Sequence, residues 1–426
     1  MVRAAVAFVL SVFMACVASA AERTVVFVMF DGFSPAMADA TKTPNLDVMK
    51  RDGIWSRHLV PVYPTMSLPN HTSFTTGCWP EHHGVVQNAF IDPNRGVPGE
   101  DADADWMTGC EPVWQAAERQ GVRAAAFNFW NRKSRSKGHL ATHANAIKPW
   151  PELPSDDEIL AWGLKLLAST DAKRPRLISL YFRGPDHEAH VNGVTAPQTL
   201  AEVRKADAIV GKLMAGIKAL PADREGTLIV GTDHGMMKVE QVINLGRIMN
   251  RHWIKARAAG DGGSAYLYLD KDESVERVEK VLAPYANAFT VHRTGKHPPY
   301  AHLGTGPRVG DLMLAVKPPY YVAPPDSLPW YAHLMGVTWL WSDIFTPDFG
   351  GLAASHGYDP AIEEMHGIFY AWGAGVARGR EIPRVDMIDV HPTTMALLGL
   401  RPGNPVDGKV VAEMFASPVP VPVTVP

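Results

Sequence analysis

Five short apolar runs punctuate the chain: Thr24–Phe30 (TVVFVMF), Leu177–Phe182 (LISLYF), Thr227–Thr232 (TLIVGT), Asp311–Val316 (DLMLAV) and Gly367–Trp372 (GIFYAW). They are continuous rather than alternating, which predicts strands buried on both faces of a parallel sheet. Between them, Glu111–Gln120, Asp157–Ala168, Thr199–Leu220 and Val385–Leu398 show helical periodicity. Strands that alternate with helices predict an α/β fold, with a mainly parallel central sheet and helices on both faces. Residues 238–307 interrupt this alternation and are richer in His, Arg and Gly. They predict a small inserted capping subdomain over the strand ends, dividing the catalytic core into 21–237 and 308–416. The tail Ser417–Pro426 alternates Pro with Val and predicts an extended surface segment.

The N-terminus adds an address. Arg3, the apolar stretch Ala4–Val17 and the small residues Ala18-Ser19-Ala20 follow the pattern of a secretory signal peptide cleaved near Ala20. The stretch is too short to span a bilayer, which takes about 20 apolar residues. A secreted or periplasmic protein without a membrane span is therefore expected. Cys78 and Cys110 would remain in an oxidising compartment, where a bridge and two buried thiols are both open to them.

Composition narrows the field of functions. The 426 residues are 46% hydrophobic and 20% charged, as in an ordinary globular protein. Lys plus Arg total 41 against 44 for Asp plus Glu, so no strongly basic nucleic-acid-binding surface is expected. The 17 His are a generous supply of metal ligands.

Several of those ligands fall at predicted strand ends, where open α/β sheets gather their sites. Asp31 follows the first strand. Asp186 and His190, spaced Asp-x-x-x-His, follow the second, and Asp233-His234 follow the third. His356 lies in Ser355-His356-Gly357-Tyr358-Asp359, between Gly-rich turns. Singly, an Asp after a strand is usually a helix cap or a turn former. Together, three carboxylates, three imidazoles and one hydroxyl oxygen could balance two divalent cations. The mixed nitrogen and oxygen ligands favour zinc, with manganese or iron as alternatives.

The hydroxyl candidate is Ser67, in Pro64-Thr65-Met66-Ser67-Leu68-Pro69-Asn70-His71. The plain reading makes Ser67 a helix cap, with Pro69 in the first turn where a missing amide costs nothing. A helix start also offers free amides to a phosphate. A metal beside the serine oxygen would make it a nucleophile at neutral pH.

Read in order, Asp31-Gly32-Phe33, Met66-Ser67-Leu68-Pro69-Asn70-His71, Thr76-Gly77, Pro80-Glu81-His82-His83-Gly84, Asp186 with His190, Thr232-Asp233-His234-Gly235-Met236 and His356-Gly357-Tyr358-Asp359 resemble the alkaline phosphatase superfamily. Within it they are most similar to the nucleotide pyrophosphatase/phosphodiesterase family. The resemblance spans roughly Thr24 to Leu400 and implies an alkaline-phosphatase-like fold with two zinc ions per chain. One site would use Asp186, His190 and His356, and the other Asp31, Asp233, His234 and the Ser67 oxygen. Asn88 matches a phosphoryl-binding asparagine. Tyr181 and Trp150 match aromatics that stack on a nucleobase. His71, His82 and His83 match no ligand position and are assigned to structure.

Two departures stand out. Ser67-Leu68 replaces the usual Thr-Phe, which keeps the nucleophilic oxygen but removes an aromatic surface from the substrate-binding position 68. Asn131-Arg132 replaces the usual Pro-Gly after Phe129-Trp130. The resemblance implies a two-zinc phosphodiesterase that hydrolyses nucleotide-type diesters or pyrophosphates through a covalent intermediate on Ser67. Its substrate would be a small phosphodiester. A phosphonate hydrolase or phosphomonoesterase with the same metals is the nearest alternative, and a secreted zinc-binding protein without catalysis is the second. Oligomeric state has no signature in the sequence.

Overall fold

The computed structural model describes residues 22–98, 104–133, 138–323, 342–347 and 351–419. The signal-peptide region and the end of the Pro-rich tail lie outside the described residues.

The core is one large sheet. Its principal strands are β1 (Glu22–Phe30), β2 (Ile54–Val60), β3 (Ala124–Phe127), β4 (Leu177–Phe182), β5 (Arg224–Thr232) and β6 (Gly367–Gly373). They lie in the order β2-β6-β5-β1-β4-β3, with the short strands Arg380–Glu381 beyond β2 and His143–Ala144 beyond β3. Strands β3, β4, β1 and β5 run parallel. Strand β6 is reversed against both of its neighbours, so the sheet is mixed around a parallel centre.

Residues of β1 alternate between two buried clusters. Val25, Phe27 and Met29 pack on one face, and Val26, Val28 and Phe30 on the other. That double burial is why the strand reads as an unbroken apolar run. Helices Asp156–Leu167 and Pro197–Lys218 cover the second face, and Val113–Arg119 and Val390–Leu397 the first. The last helix is shorter than its periodicity predicts, because Val385–Asp386 pairs with β2.

Two principal strands of the main sheet have no counterpart among the five predicted runs. Ile54–Val60 carries Arg57 and His58, and Ala124–Phe127 is mostly alanine, so neither has a β signature. A third was misplaced. Leu312–Val316, expected in the parallel sheet, pairs antiparallel with Ser264–Leu269 and Phe289–Arg293 in a separate four-stranded sheet. A short apolar run declares burial, not the sheet that buries it.

That small sheet has its own core, built from Ala265, Leu267, Phe289, Leu312 and Leu314. The turn before Ser264 is tied to the His356 loop, where the His356 carbonyl accepts from the Gly263 amide at 2.9 Å. Cys78 and Cys110, left open by the sequence, form a disulfide.

Candidate active site

The site begins with register. Phe30 at the end of β1 lies opposite Phe182 of β4 and Thr232 of β5. The next residues therefore leave the sheet side by side and carry Asp31, Asp186 and Asp233 into one space. The turn after β1 is close-packed. Gly32 has φ +64°, and a Cβ there would lie 2.8 Å from the Asp186 Cβ.

Two groups of ligand-type atoms result, each set lying within 4.8 Å of one another: Asp186, His190 and His356, and Asp31, Asp233 and His234. Asp186 and His190 are four apart on helix Asp186–Asn192, hence on one face, with His190 Nε2 3.5 Å from Asp186 Oδ1. His356 is delivered by the loop after Ala354–Ser355, with Nε2 3.8 Å from Asp186 Oδ1. The rings of His234 and His356 stack at 3.6 Å, so the two groups are contiguous.

The hydrogen bonds leave the right atoms free. His190 Nδ1 donates to the Ala354 carbonyl at 2.9 Å, His234 Nδ1 to the Gly235 carbonyl at 3.0 Å, and His356 Nδ1 to the Thr65 carbonyl at 3.0 Å. Each bond fixes the tautomer whose Nε2 is a bare acceptor, as a metal-ligating imidazole requires. Burial, then His234 and His190, also hold the His356 imidazole well below its ordinary value, so it stays neutral.

The carboxylates need a cation. Burial, then the charges of Asp233 and Asp186, raise Asp31 well above the usual carboxylate range. Burial would raise Asp233 as well, but His234, His71 and the Gly32 amide outweigh it and pull it down. Among the described residues, Asp31 Oδ1 and Asp186 Oδ1 are buried without a hydrogen-bond partner. Bare buried carboxylate oxygens facing bare imidazole nitrogens fit a pair of divalent ions in chemistry and in number.

Ser67 is the first residue of helix Ser67–Thr76, but Met66 occupies the cap position and no side chain caps the helix. The plain cap reading therefore does not hold. The Ser67 Oγ instead lies 3.2 Å from His234 Nε2, against the Asp31 group. Asn70 pins the approach to it: its Nδ2 donates to the carbonyls of Val62, Pro64 and Met66, and its Oδ1 accepts from the Val62 amide. Thr65 ties this turn to the His356 loop, where its Oγ1 accepts from the Gly357 amide at 2.9 Å.

A cavity of about 660 Å³ opens over both groups and is lined by Ser67, Leu68, Asn88, Trp130, Tyr321 and His356, among others. Asn88 Oδ1 accepts from the Leu68 amide at 2.8 Å, which leaves its Nδ2 to donate to a bound group. Trp150 begins the short helix Trp150–Glu152, and its side chain lies outside the described residues.

Tyr181 requires a correction. It is 1% exposed next to the last residue of β4, its hydroxyl donates to Asp31 Oδ2, and its ring packs on His71 at 4.6 Å. At that exposure the ring has almost no surface to offer a nucleobase. Burial, then the charges of Asp31 and Asp233, raise its phenol well above the ordinary value and keep it a donor. Its place is behind the ligands, orienting Asp31.

His71, assigned to structure alone, also reaches the site, with Nε2 3.3 Å from Asp233 Oδ2. The signal was available, because it lies four residues after Ser67 on the same helix face. Asp261 was missed as well. It lines the cavity from the inserted region, bonded to the Tyr321 hydroxyl at 3.3 Å. His83 and His82 stay outside the cavity lining, bonded to Ser73 and Asp407.

The chain is similar to known proteins. The profile of the Type I phosphodiesterase / nucleotide pyrophosphatase family matches residues 25–359. An uncharacterised pyrophosphatase/phosphodiesterase of Schizosaccharomyces pombe is 27% identical over 69% of this chain and 62% of its own length, so the chain spans less than two thirds of that relative. Human ectonucleotide pyrophosphatase/phosphodiesterase family member 7 is 26% identical over 89% of this chain and 81% of its own. The structure of human ectonucleotide pyrophosphatase / phosphodiesterase 5 superposes with a TM-score of 0.79 at 21% identity, covering 93% of this chain and 100% of that one. An inactive murine form of the same enzyme, in complex with AMP, superposes with a TM-score of 0.76 at 22% identity over 91% and 98%. At those identities the structural likeness establishes the fold.

Proposed function

The chain belongs to the Type I phosphodiesterase / nucleotide pyrophosphatase family, and from that membership we propose that it is a two-zinc phosphodiesterase acting on nucleotide-type phosphodiesters or pyrophosphates. The observation that carries this reading is the pair of contiguous Asp/His groups with the Ser67 oxygen against one of them. Asp186, His190 and His356 would hold one ion, and Asp31, Asp233, His234 and Ser67 Oγ the other. Bound there, the ions supply Lewis-acid charge that lowers the serine pKa and neutralises oxygens on the phosphoryl group.

The chain's own residues do the rest. Ser67 Oγ, having lost its proton to solvent, attacks phosphorus in line as the bond to the leaving oxygen breaks, and the retained phosphoryl ester becomes linked to Ser67 as a serine phosphodiester. Water then cleaves the bond between Ser67 Oγ and phosphorus, releasing the phosphomonoester and regenerating the hydroxyl. Asn88 Nδ2 donates to a non-bridging phosphoryl oxygen, an interaction worth about 3 kcal/mol in preorganised sites. Ser67 opens its helix, so its amide has no acceptor within the helix and faces the same phosphoryl group. Tyr181 holds Asp31, and the three carbonyl-bound imidazoles hold their tautomers.

Among the described residues no helix is long and apolar enough to cross a membrane. A secreted or periplasmic location rests on the N-terminal segment Arg3–Ala20.

Turnover of a nitrophenyl nucleotide diester beside simple nitrophenyl phosphate tests the proposal. Hydrolysis of the diester, lost to a chelator and restored by zinc, is expected. Preferential turnover of the monoester, or indifference to complete metal removal, would overturn it.

A further inference from the structure

One stretch of the sequence is left over by the metal chemistry. Between Glu118 and Glu152 the chain carries seven Lys or Arg residues and no Asp or Glu. Arg119 is paired with Glu111, and Arg123 reaches the Lys173 carbonyl. Two others, Arg132 and Lys148, line the cavity.

Arg132 is an unusual buried cation. It is 2% exposed, and its guanidinium donates only to main-chain carbonyls: Nε to Asn145 at 3.1 Å, Nη1 to Phe129 at 2.7 Å, and Nη2 to Ala146. Among the described residues it forms no ion pair with a carboxylate. Carbonyl dipoles solvate a guanidinium but leave its unit charge uncancelled, so the cavity wall is electrically positive at this point. Burial lowers its pKa only to about 10, so it remains a cation at neutral pH. Lys148 stands exposed beside it, with Glu152 3.9 Å away.

Hydrogen bonds brace the main chain behind these side chains. The Asn128 amide donates to Asn145 Oδ1 at 2.9 Å, and Asn145 Nδ2 returns a bond to Asn128 Oδ1 at 2.9 Å. It adjoins the nucleophile's own helix, since Trp130 Nε1 donates to Thr72 Oγ1 at 3.1 Å and packs with Leu68 on one cluster. An in-line displacement sends the leaving group away from Ser67, so a wall on the Ser67 side meets the part of the substrate that stays on phosphorus.

We infer that Arg132 and Lys148 form an anion subsite for a second acidic group, a phosphate or a carboxylate, on the retained portion of the substrate. The inference deepens the phosphodiesterase reading and rests on it. A fixed guanidinium already stripped of water gains a charge-assisted contact without further ordering.

The test uses two esters with one leaving group: thymidine 5′-(p-nitrophenyl phosphate) and the same compound carrying a 3′-phosphate. The intact protein is expected to favour the 3′-phosphorylated ester in kcat/KM, chiefly through KM. Arg132→Gln should shrink that preference roughly tenfold, the size of a lost bond to a charged group. Lys148→Gln, at an exposed position, should shrink it about threefold and still decides the matter if the first variant does not fold. Activity on both esters without a preference in the parent protein, or an equal loss on both in each variant, overturns the subsite and leaves the phosphodiesterase reading standing. If neither ester is turned over, the functional reading fails instead. Calorimetric binding of thymidine 3′,5′-bisphosphate, weakened by Arg132→Gln or indifferent to it, then judges the subsite alone.

Discussion

The two sides of the cavity are built differently. On the side of the strand ends, Asp233 and His234 are wholly buried, and the ligand imidazoles are each pinned by a backbone carbonyl. On the opposing walls, Asp261, Tyr321 and Leu68 are partly open and Lys148 is exposed, and none of the four belongs to the main sheet. The first side has one permitted arrangement, set by the register of three adjacent parallel strands. The second can change a side chain without disturbing that register. On the proposed function, reaction chemistry would reside in the rigid half and selectivity in the adjustable half.

Substitutions should divide along this line. The largest effect belongs to Ser67→Ala, which should lower kcat by at least about 1,000-fold on every substrate while bound metal is retained. Equal activity in that variant would place the nucleophile elsewhere. Next comes metal removal. Without cations the bare carboxylates of Asp31, Asp186 and Asp233 repel one another, so the chelated protein should melt several degrees lower and recover on adding zinc. A melting curve indifferent to chelation would mean that the carboxylates carry no metal.

Smaller, still on the rigid side, is Tyr181→Phe. It removes the hydroxyl bond to Asp31 and should weaken metal affinity by about 10-fold to 100-fold, read by competition with a chelating dye. A loss of nucleotide binding with metal affinity intact would instead restore Tyr181 as a stacking residue. Smallest is Asp261→Asn. Removing a negative charge from the adjustable wall should improve kcat/KM for a leaving group carrying extra negative charge by about threefold, with little change for a neutral one. An equal change for both would move Asp261 to the rigid half.

Legibility followed the same division. The clustered Asp and His residues were readable because, although one Asp after a strand is usually a cap or a turn former, three such placements in one chain reinforce one another. The sheet was readable where strands are long apolar runs buried on both faces, and not where they carry Arg57 and His58 or are mostly alanine. Leu312–Val316 was visible as a strand but not as a member of the second sheet, because pairing partners leave no trace in a short apolar run. Tyr181 was misread by position. A residue within a strand buried along its whole length exposes almost no ring, and the unbroken apolar run LISLYF is the signature of such a strand. His71 and Asp261 went unseen for different reasons. The first was hidden by a motif that seemed complete without it. The second lies in an irregular segment whose fold determines what it faces.

The central claim is that Asp31, Asp186, His190, Asp233, His234 and His356 form two adjoining metal centres beside Ser67. Elemental analysis by plasma mass spectrometry of the zinc-saturated protein and of its Asp186→Asn and Asp233→Asn variants tests it directly. The account predicts two zinc ions per chain in the parent protein and one fewer in each variant. A parent protein that saturates at one ion or none, or variants that still hold two, would contradict it.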